Sequence, residues 1–300
     1  MIHLLYCPLT GLGLRGGFRG NAWLKNRIRV FNEFVLPSLQ NQTKQEFITW
    51  ISCRPQERYN PIIQNFANNL SGIRGMTFVF TYEGLCFWDD KTPDKLEHAR
   101  LLERLTRTLP ELEPYIGKEE HVYMTIQPSD DMYLSTAIET IQSVPFEERR
   151  SIGWVEGYIM NYATKEVAEY NPTTLPPFST IMFPRETFLN PFAHFNYTGP
   201  YVSHEYVKVH TKFLAIPGRG FVVGTHGENI STTFNHPYKG RILTPEERDD
   251  VLIKTGTFFS DPVVINKGLR LKARQVLNRI PFQSNLRELY HKLPPSLQWF

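Results

Sequence analysis

Through the first half of the chain, short apolar runs alternate with longer stretches whose apolar residues recur at helical spacing. That is the pattern of a parallel sheet covered by helices. Ile2 to Cys7 reads as a buried first strand, and after a glycine-rich loop Asn21 to Leu39 reads as a helix with Trp23, Ile28, Phe31, Phe34 and Val35 on one face. Pro37, Ser38 and the polar run Gln40 to Thr43 mark its end. Phe47 to Cys53, ending at Arg54, is the second strand, Tyr59 to Leu70 the second helix and Met76 to Thr81 the third strand. Asp94 to Leu109, with Leu96, Leu101, Leu102 and Leu105 on one face, predicts a third helix before the strand His121 to Ile126. Four strands with three crossovers predict an α/β nucleotide-binding half over residues 1–150.

Past about residue 150 the pattern changes to short strands, prolines and aromatics, including Trp154 to Tyr162 and Phe221 to Thr225. This predicts an added β-rich side over residues 151–265. The remaining segment, 266–300, is helical in period and basic, with Arg270, Lys272, Arg274 and Arg279 among Leu269, Leu271, Val276 and Leu277. A solvated helix packed by its apolar edge is the plainer reading, and a peripheral contact with a membrane surface or a polyanion is the other.

Composition narrows the function classes. The chain has 300 residues, 41% of them hydrophobic, enough for a large core. Lys and Arg number 33 against 30 Asp and Glu, so overall charge gives no support to a nucleic-acid partner. The three cysteines, Cys7, Cys53 and Cys86, lack metal-type spacing and fit a reducing, cytoplasmic compartment. No apolar run approaches the ~20 residues of a membrane span, and no signal peptide is expected.

The strongest candidate chemistry follows the fourth strand, in His121-Val-Tyr-Met-Thr-Ile-Gln-Pro-Ser-Asp-Asp-Met-Tyr. Ligands of open parallel sheets sit at the carboxyl ends of the strands, so Asp130 and Asp131 face the expected cleft. Paired carboxylates there suit Mg²⁺ or Mn²⁺ bridging to phosphate oxygens. The alternative is that the pair caps a helix over Tyr133 to Ile141.

Asn21-Ala-Trp-Leu-Lys-Asn-Arg-Ile-Arg-Val-Phe, Leu36-Pro-Ser-Leu-Gln-Asn-Gln-Thr, Phe47-Ile-Thr-Trp-Ile, the acidic loop at Asp130 and His226-Gly-Glu-Asn-Ile-Ser together resemble the rhamnosyltransferase family of GT-A-type glycosyltransferases. The likeness spans about three-quarters of the chain, and the breadth informs more than any one motif. It implies a GT-A-like, Rossmann-type sheet with helices on both faces and a β-rich acceptor side. It also implies transfer of a sugar, rhamnose on the family's name alone, from a nucleotide-diphosphate sugar to a hydroxyl on a glycan or other acceptor, with a metal held by an Asp-x-Asp motif. The chain departs from that motif: Pro128-Ser129-Asp130-Asp131 lacks the first acid of Asp-x-Asp-Asp. By position, Asp130 and Asp131 become the metal ligands, with Asp130 also at the donor. Alanine at Asp130 is then expected to abolish metal-dependent transfer and leave the fold intact.

The resemblance adds His226 to the metal or diphosphate and Gly227 to a close backbone approach to phosphate, against a plain hydrogen-bonding role for a loop histidine. Glu205, beside His204, occupies roughly the place of the base in inverting relatives, against a first-turn helix glutamate; Glu156 is a weaker candidate. Arg15, Arg19, Arg27 and Arg54 fall at or near strand ends and the first helix, where guanidinium groups could clamp an anionic donor. Trp154, Tyr158, Tyr162, Phe192, Phe195 and Tyr197 are aromatics for sugar stacking or for the core.

Two other readings stand beside this one. The lost acid is also compatible with a degenerate sugar- or nucleotide-binding protein of the same fold that does not catalyse. Gly11-Leu-Gly-Leu-Arg-Gly16 matches the Gly-x-Gly-x-x-Gly fingerprint of an NAD(P)-dependent oxidoreductase. Against it, Gly17 and Gly20 delay the helix to Asn21, and strand two ends in Arg54 rather than an acid.

Overall fold

The computed structural model describes residues 1–10, 20–85, 94–172, 179–199, 207, 209–226, 229 and 232–257, without the side chains of 94–97. The chain opens with β1 (Ile2–Pro8) and a helical stretch made of α1 (Asn21–Val30), a π turn (Phe31–Val35) and α2 (Leu36–Gln40). There follow β2 (Ile48–Ser52), α3 (Pro61–Ser71), β3 (Thr77–Thr81), α4 (Asp94–Ile116) and β4 (His121–Ile126). These four strands pair in parallel in the order 3-2-1-4, as the apolar pattern predicts for a parallel α/β half and as the resemblance implies for a Rossmann-type sheet.

Alternation along β1 sorts the core into two layers. Leu5 and Cys7 pack toward α1 and α3, against Leu24, Phe31, Ile63 and Phe66. Leu4 and Tyr6 pack on the opposite face against Leu101, Leu105, Leu109, Leu112 and Ile116 of α4. Helices therefore cover both faces, and β1, β2 and β4 are buried almost throughout.

Two boundaries differ from the expected ones. The third crossover helix does not stop at Leu109 but runs through Pro110 and Pro114 to Ile116. Its apolar stripe continues at helical spacing through Leu112 and Ile116, both buried, and that packing outweighs the hydrogen bonds the prolines cannot donate. Tyr133 to Ile141 is not one helix: β5 (Met132–Tyr133) pairs with Phe221 and Val222, and α5 (Ala137–Ser143) begins only behind Thr136.

The remaining elements are β6 (Arg150–Asn161), β7 (Val167–Tyr170), β8 (Thr180–Pro184), α6 (Arg185–Leu189), α7 (Pro191–Thr198), β9 (Lys212–Thr225), β10 (Lys239–Ile242) and α8 (Pro245–Lys254). β8 joins β4 antiparallel, so one sheet continues from the parallel half into the β-rich side. β6 meets β8 near its start and β7 near its end along one edge, while β9 runs parallel along the other. The register Asn161↔Thr225 sets Tyr162 beside His226, and the β5–β9 pairing draws the preceding acidic loop toward the same end of β9. Among the described residues no helix is long and apolar enough to cross a membrane.

Candidate functional site

The residues that follow β4 leave the carboxyl edge of the parallel strands as a tight loop. Gln127 donates its backbone N–H to the Tyr6 carbonyl (2.8 Å) and its side-chain amide to the carbonyls of Pro128 (2.9 Å) and Asp131 (2.7 Å). Tyr162 donates its hydroxyl to the Asp130 carbonyl at 2.6 Å, and its ring stacks on Phe34 at 3.6 Å between centroids. The loop is thus braced by the first helical stretch and by the end of β6. The π turn belongs to this arrangement: Phe31 and Val35 face the parallel sheet, while Val30 and Phe34 face Met132, Met160, Tyr162 and Val222.

One carboxylate oxygen organises the centre of the site. Asp130 Oδ2 accepts from Arg27 Nη1 at 2.7 Å, from Asn229 Nδ2 at 3.1 Å and from His226 Nε2 at 3.2 Å. A carboxylate that only accepts requires the proton of the His226 ring on Nε2. That leaves Nδ1, which is buried and, like Arg27 Nε, has no hydrogen-bond partner among the described residues. Asn229 also donates to the Gly224 carbonyl (2.6 Å) and accepts the backbone N–H of His226 (2.7 Å), closing the turn after β9.

Asp131 faces elsewhere: its Oδ1 accepts the Gly224 N–H at 2.8 Å. The two acids titrate in opposite directions. Burial pushes the Asp130 carboxyl up, but Arg27 and His226 outweigh it and hold the group down at about 2. Burial and then the neighbouring Asp130 charge push Asp131 well above the carboxylate range, against the Gly224 N–H and Arg27.

The consequences for stability have opposite signs. Asp130 contributes stability above the unfolded value of about 4, and that contribution is lost as pH falls toward 2. Asp131 favours the fold in its protonated form, a contribution lost as pH rises through its raised folded value. Asp131→Asn keeps an acceptor for Gly224 and removes the buried charge. Its thermal midpoint is therefore expected at or above that of the wild type at pH 7, with the difference shrinking toward pH 4. A clear loss of midpoint at pH 7 would show that the ionised carboxylate is needed.

The alternative role of the acids as a helix cap is excluded, since α5 starts six residues after Asp131 and has Thr136 before it. The other candidates distribute as follows. Arg27, Asp130, Asp131 and His226, from α1, the loop after β4 and the end of β9, come together. Arg54 sits at the same sheet edge with its guanidinium held by Glu57 at 2.8 Å, and Glu57 in turn accepts from the Thr10 hydroxyl. Glu156 is exposed on β6, 3.8 Å from Arg219. Trp154, Tyr162 and Tyr197 are buried, Tyr158 lies under the Arg219 guanidinium, Phe195 is part-buried, and Phe192 is exposed. Arg15, Arg19, His204, Glu205, Gly227, Cys86, the glycine fingerprint and the basic tail lie outside the described residues.

Sequence reasoning missed Asn229, Gly224 and Gln127. Asn229 stood three residues after His226 in the motif already singled out, and that spacing was its one signal.

The arrangement does not fit a divalent ion. Asp130 Oδ2, the oxygen turned toward Arg27 and His226, already carries three donors, one of them a guanidinium. The described residues contain no group of three or more His, Cys, Asp or Glu side chains set to hold a metal. What the cluster offers is a buried ion pair in which Arg27 Nε and His226 Nδ1 lack a partner among the described residues.

No protein-family model matches the chain, and no curated protein sequence does. Solved structures with similarity include S. aureus TarS, at 12% identity over 99% of this chain and 50% of that one, TM-score 0.32. The inositol-1-phosphate CTP transferase from T. maritima matches at 10% identity over 75% and 84% of the two chains, TM-score 0.30. Mouse xyloside xylosyltransferase 1 in its apo form matches at 11% over 72% and 84%, TM-score 0.31. The chain spans half the length of the first of these. At such identities and TM-scores the likenesses carry no argument about what this chain does.

Proposed function

We propose that the chain is a glycosyltransferase that takes a nucleotide-diphosphate sugar as donor and a hydroxyl group as acceptor. The observation that supports this reading most is the convergence of Asp130, Arg27 and His226 beyond β4, at the carboxyl edge of a parallel 3-2-1-4 sheet. In open α/β sheets that edge is where nucleotides bind. Rhamnose as the sugar and a glycan as the acceptor follow from the residue likeness alone.

In the reaction, the bond between the anomeric carbon and the diphosphate oxygen breaks with its electron pair going to the diphosphate. The acceptor oxygen bonds to that carbon and gives its proton to a base, which we assign to Glu205 on the residue likeness. Such a base contributes a factor of roughly 10² to 10⁴. Arg27 and His226 are the groups we assign to the growing negative charge on the diphosphate.

The test is turnover of nucleotide sugars with water in place of the acceptor. Slow release of nucleoside diphosphate from one of them is expected. A nucleotide sugar that binds and is never hydrolysed would favour the non-catalytic binding protein instead. The oxidoreductase reading gains nothing from Arg54, whose guanidinium Glu57 already holds.

A further inference from the structure

Paired carboxylates draw a divalent ion when their charge is not otherwise cancelled. Here the cancellation is internal. Arg27 and Asp130 form an ion pair at 2.7 Å with side chains only 7% and 10% exposed, from two elements separated by about a hundred residues of chain. Asn229 and His226 complete the shell of the same oxygen. A metal ion on this oxygen would have to displace a guanidinium from a buried, charge-assisted hydrogen bond, which is among the stronger interactions a carboxylate makes, and on the other oxygen it would sit beside that guanidinium's positive charge.

Asp131 is turned to the backbone instead, its Oδ1 accepting the Gly224 N–H. The loop supplies no further acid: Pro128 and Ser129 precede Asp130. Meanwhile Arg27 Nε and His226 Nδ1 are buried and find no hydrogen-bond partner among the described residues. Unsatisfied buried polar atoms are costly, and phosphate oxygens are good acceptors for a guanidinium.

We propose that Arg27, held by Asp130, stands where a divalent ion would stand in a metal-dependent transferase, so that this site binds the nucleoside diphosphate of its donor without metal. The inference rests on the donor reading above and deepens it.

The experiment is a set of thermal melts of the wild-type protein with uridine, thymidine and guanosine diphosphates, each in EDTA and in Mn²⁺. One nucleotide is expected to raise the midpoint equally in both buffers, and the electron paramagnetic resonance signal of free Mn²⁺ is expected to survive addition of equimolar protein. A shift seen only with Mn²⁺ would overturn the metal-free site and leave the donor reading standing. No shift with any nucleotide in either buffer would overturn the donor reading and this inference with it. Arg27→Gln assigns the charge: nucleotide affinity in EDTA is expected to fall at least about tenfold, the scale of one charge-assisted hydrogen bond. Unchanged affinity would remove Arg27 from the role.

Discussion

Asp130→Ala is expected to lower the thermal midpoint by about 5–10 °C, as well as to abolish donor binding. The variant leaves the Arg27 guanidinium buried with its counter-charge gone, and breaking a buried ion pair from one side typically costs about 3–5 kcal/mol. In a chain of this size each kcal/mol moves the midpoint by roughly 2 °C. Loop contacts add to the loss, since His226 and Asn229 also give up their acceptor. Removing both charges restores much of it: Arg27→Met with Asp130→Ala is expected to melt above Asp130→Ala alone, because no buried charge then lacks a partner. Calorimetric melts of the two single variants and the double variant check this. A single variant melting within a degree of the wild type would show that the pair is solvated rather than buried. The expectation from sequence is that alanine here abolishes transfer without unfolding the protein; the buried partner adds a lowered midpoint to that expectation.

Gly224→Ala is expected to be the most damaging single methyl in the chain's described glycines near the site. A Cβ there would collide with the Asp130 carbonyl and with the Tyr162 hydroxyl and ring. Neither neighbour can give way: one is backbone of the acidic loop, the other a buried ring stacked on Phe34. The obstacle is space and not backbone conformation, since Gly224 has no positive φ. Overpacking of a rigid core costs about 1–3 kcal/mol, and this position belongs at the upper end. Urea unfolding should show a midpoint well below wild type, and nucleotide binding should fall because Asp130 is pushed out of reach of Arg27. Gly72→Ala is the control: its Cβ would make only ordinary contact with the Asn69 carbonyl, at 3.5 Å. Equal urea midpoints for Gly224→Ala and wild type would contradict the close packing of loop and strand described here.

Much of the parallel half was legible because its residues obey two simple periods. β1, β2 and β4 are apolar runs of five to seven residues, and α3 carries Ile63, Phe66 and Leu70 at helical spacing. The errors came where distant packing overrides local signals. Proline at 110 reads as a helix end, yet Leu112 and Ile116 have a buried surface waiting for them. Met132 and Tyr133 read as the start of a helix, yet Phe221 and Val222 claim them as a strand. A two-residue strand leaves no period to detect.

The candidate site was legible in part for the same reason. Asp130 and His226 stand in short motifs, and Arg27 lies on a helix that leaves the sheet's carboxyl edge. What sequence could not give is that Arg27, on a stretch whose apolar stripe reads through Ile28, is the buried residue while Ile28 is only part-buried. A guanidinium is buried there because a carboxylate 103 residues away meets it. Pairings of that kind have no local signature. Gly224 and Tyr162 acquire their roles likewise from the register of β6 against β9.

The most direct measurement is a crystal structure of the protein grown with the nucleoside diphosphate that stabilises it, in metal-free buffer. The account predicts diphosphate density within hydrogen-bond reach of Arg27 or His226, beyond the end of β4. Ordered nucleotide bound away from that loop, or a diphosphate that appears only when a metal ion bridges it to Asp130, would contradict it.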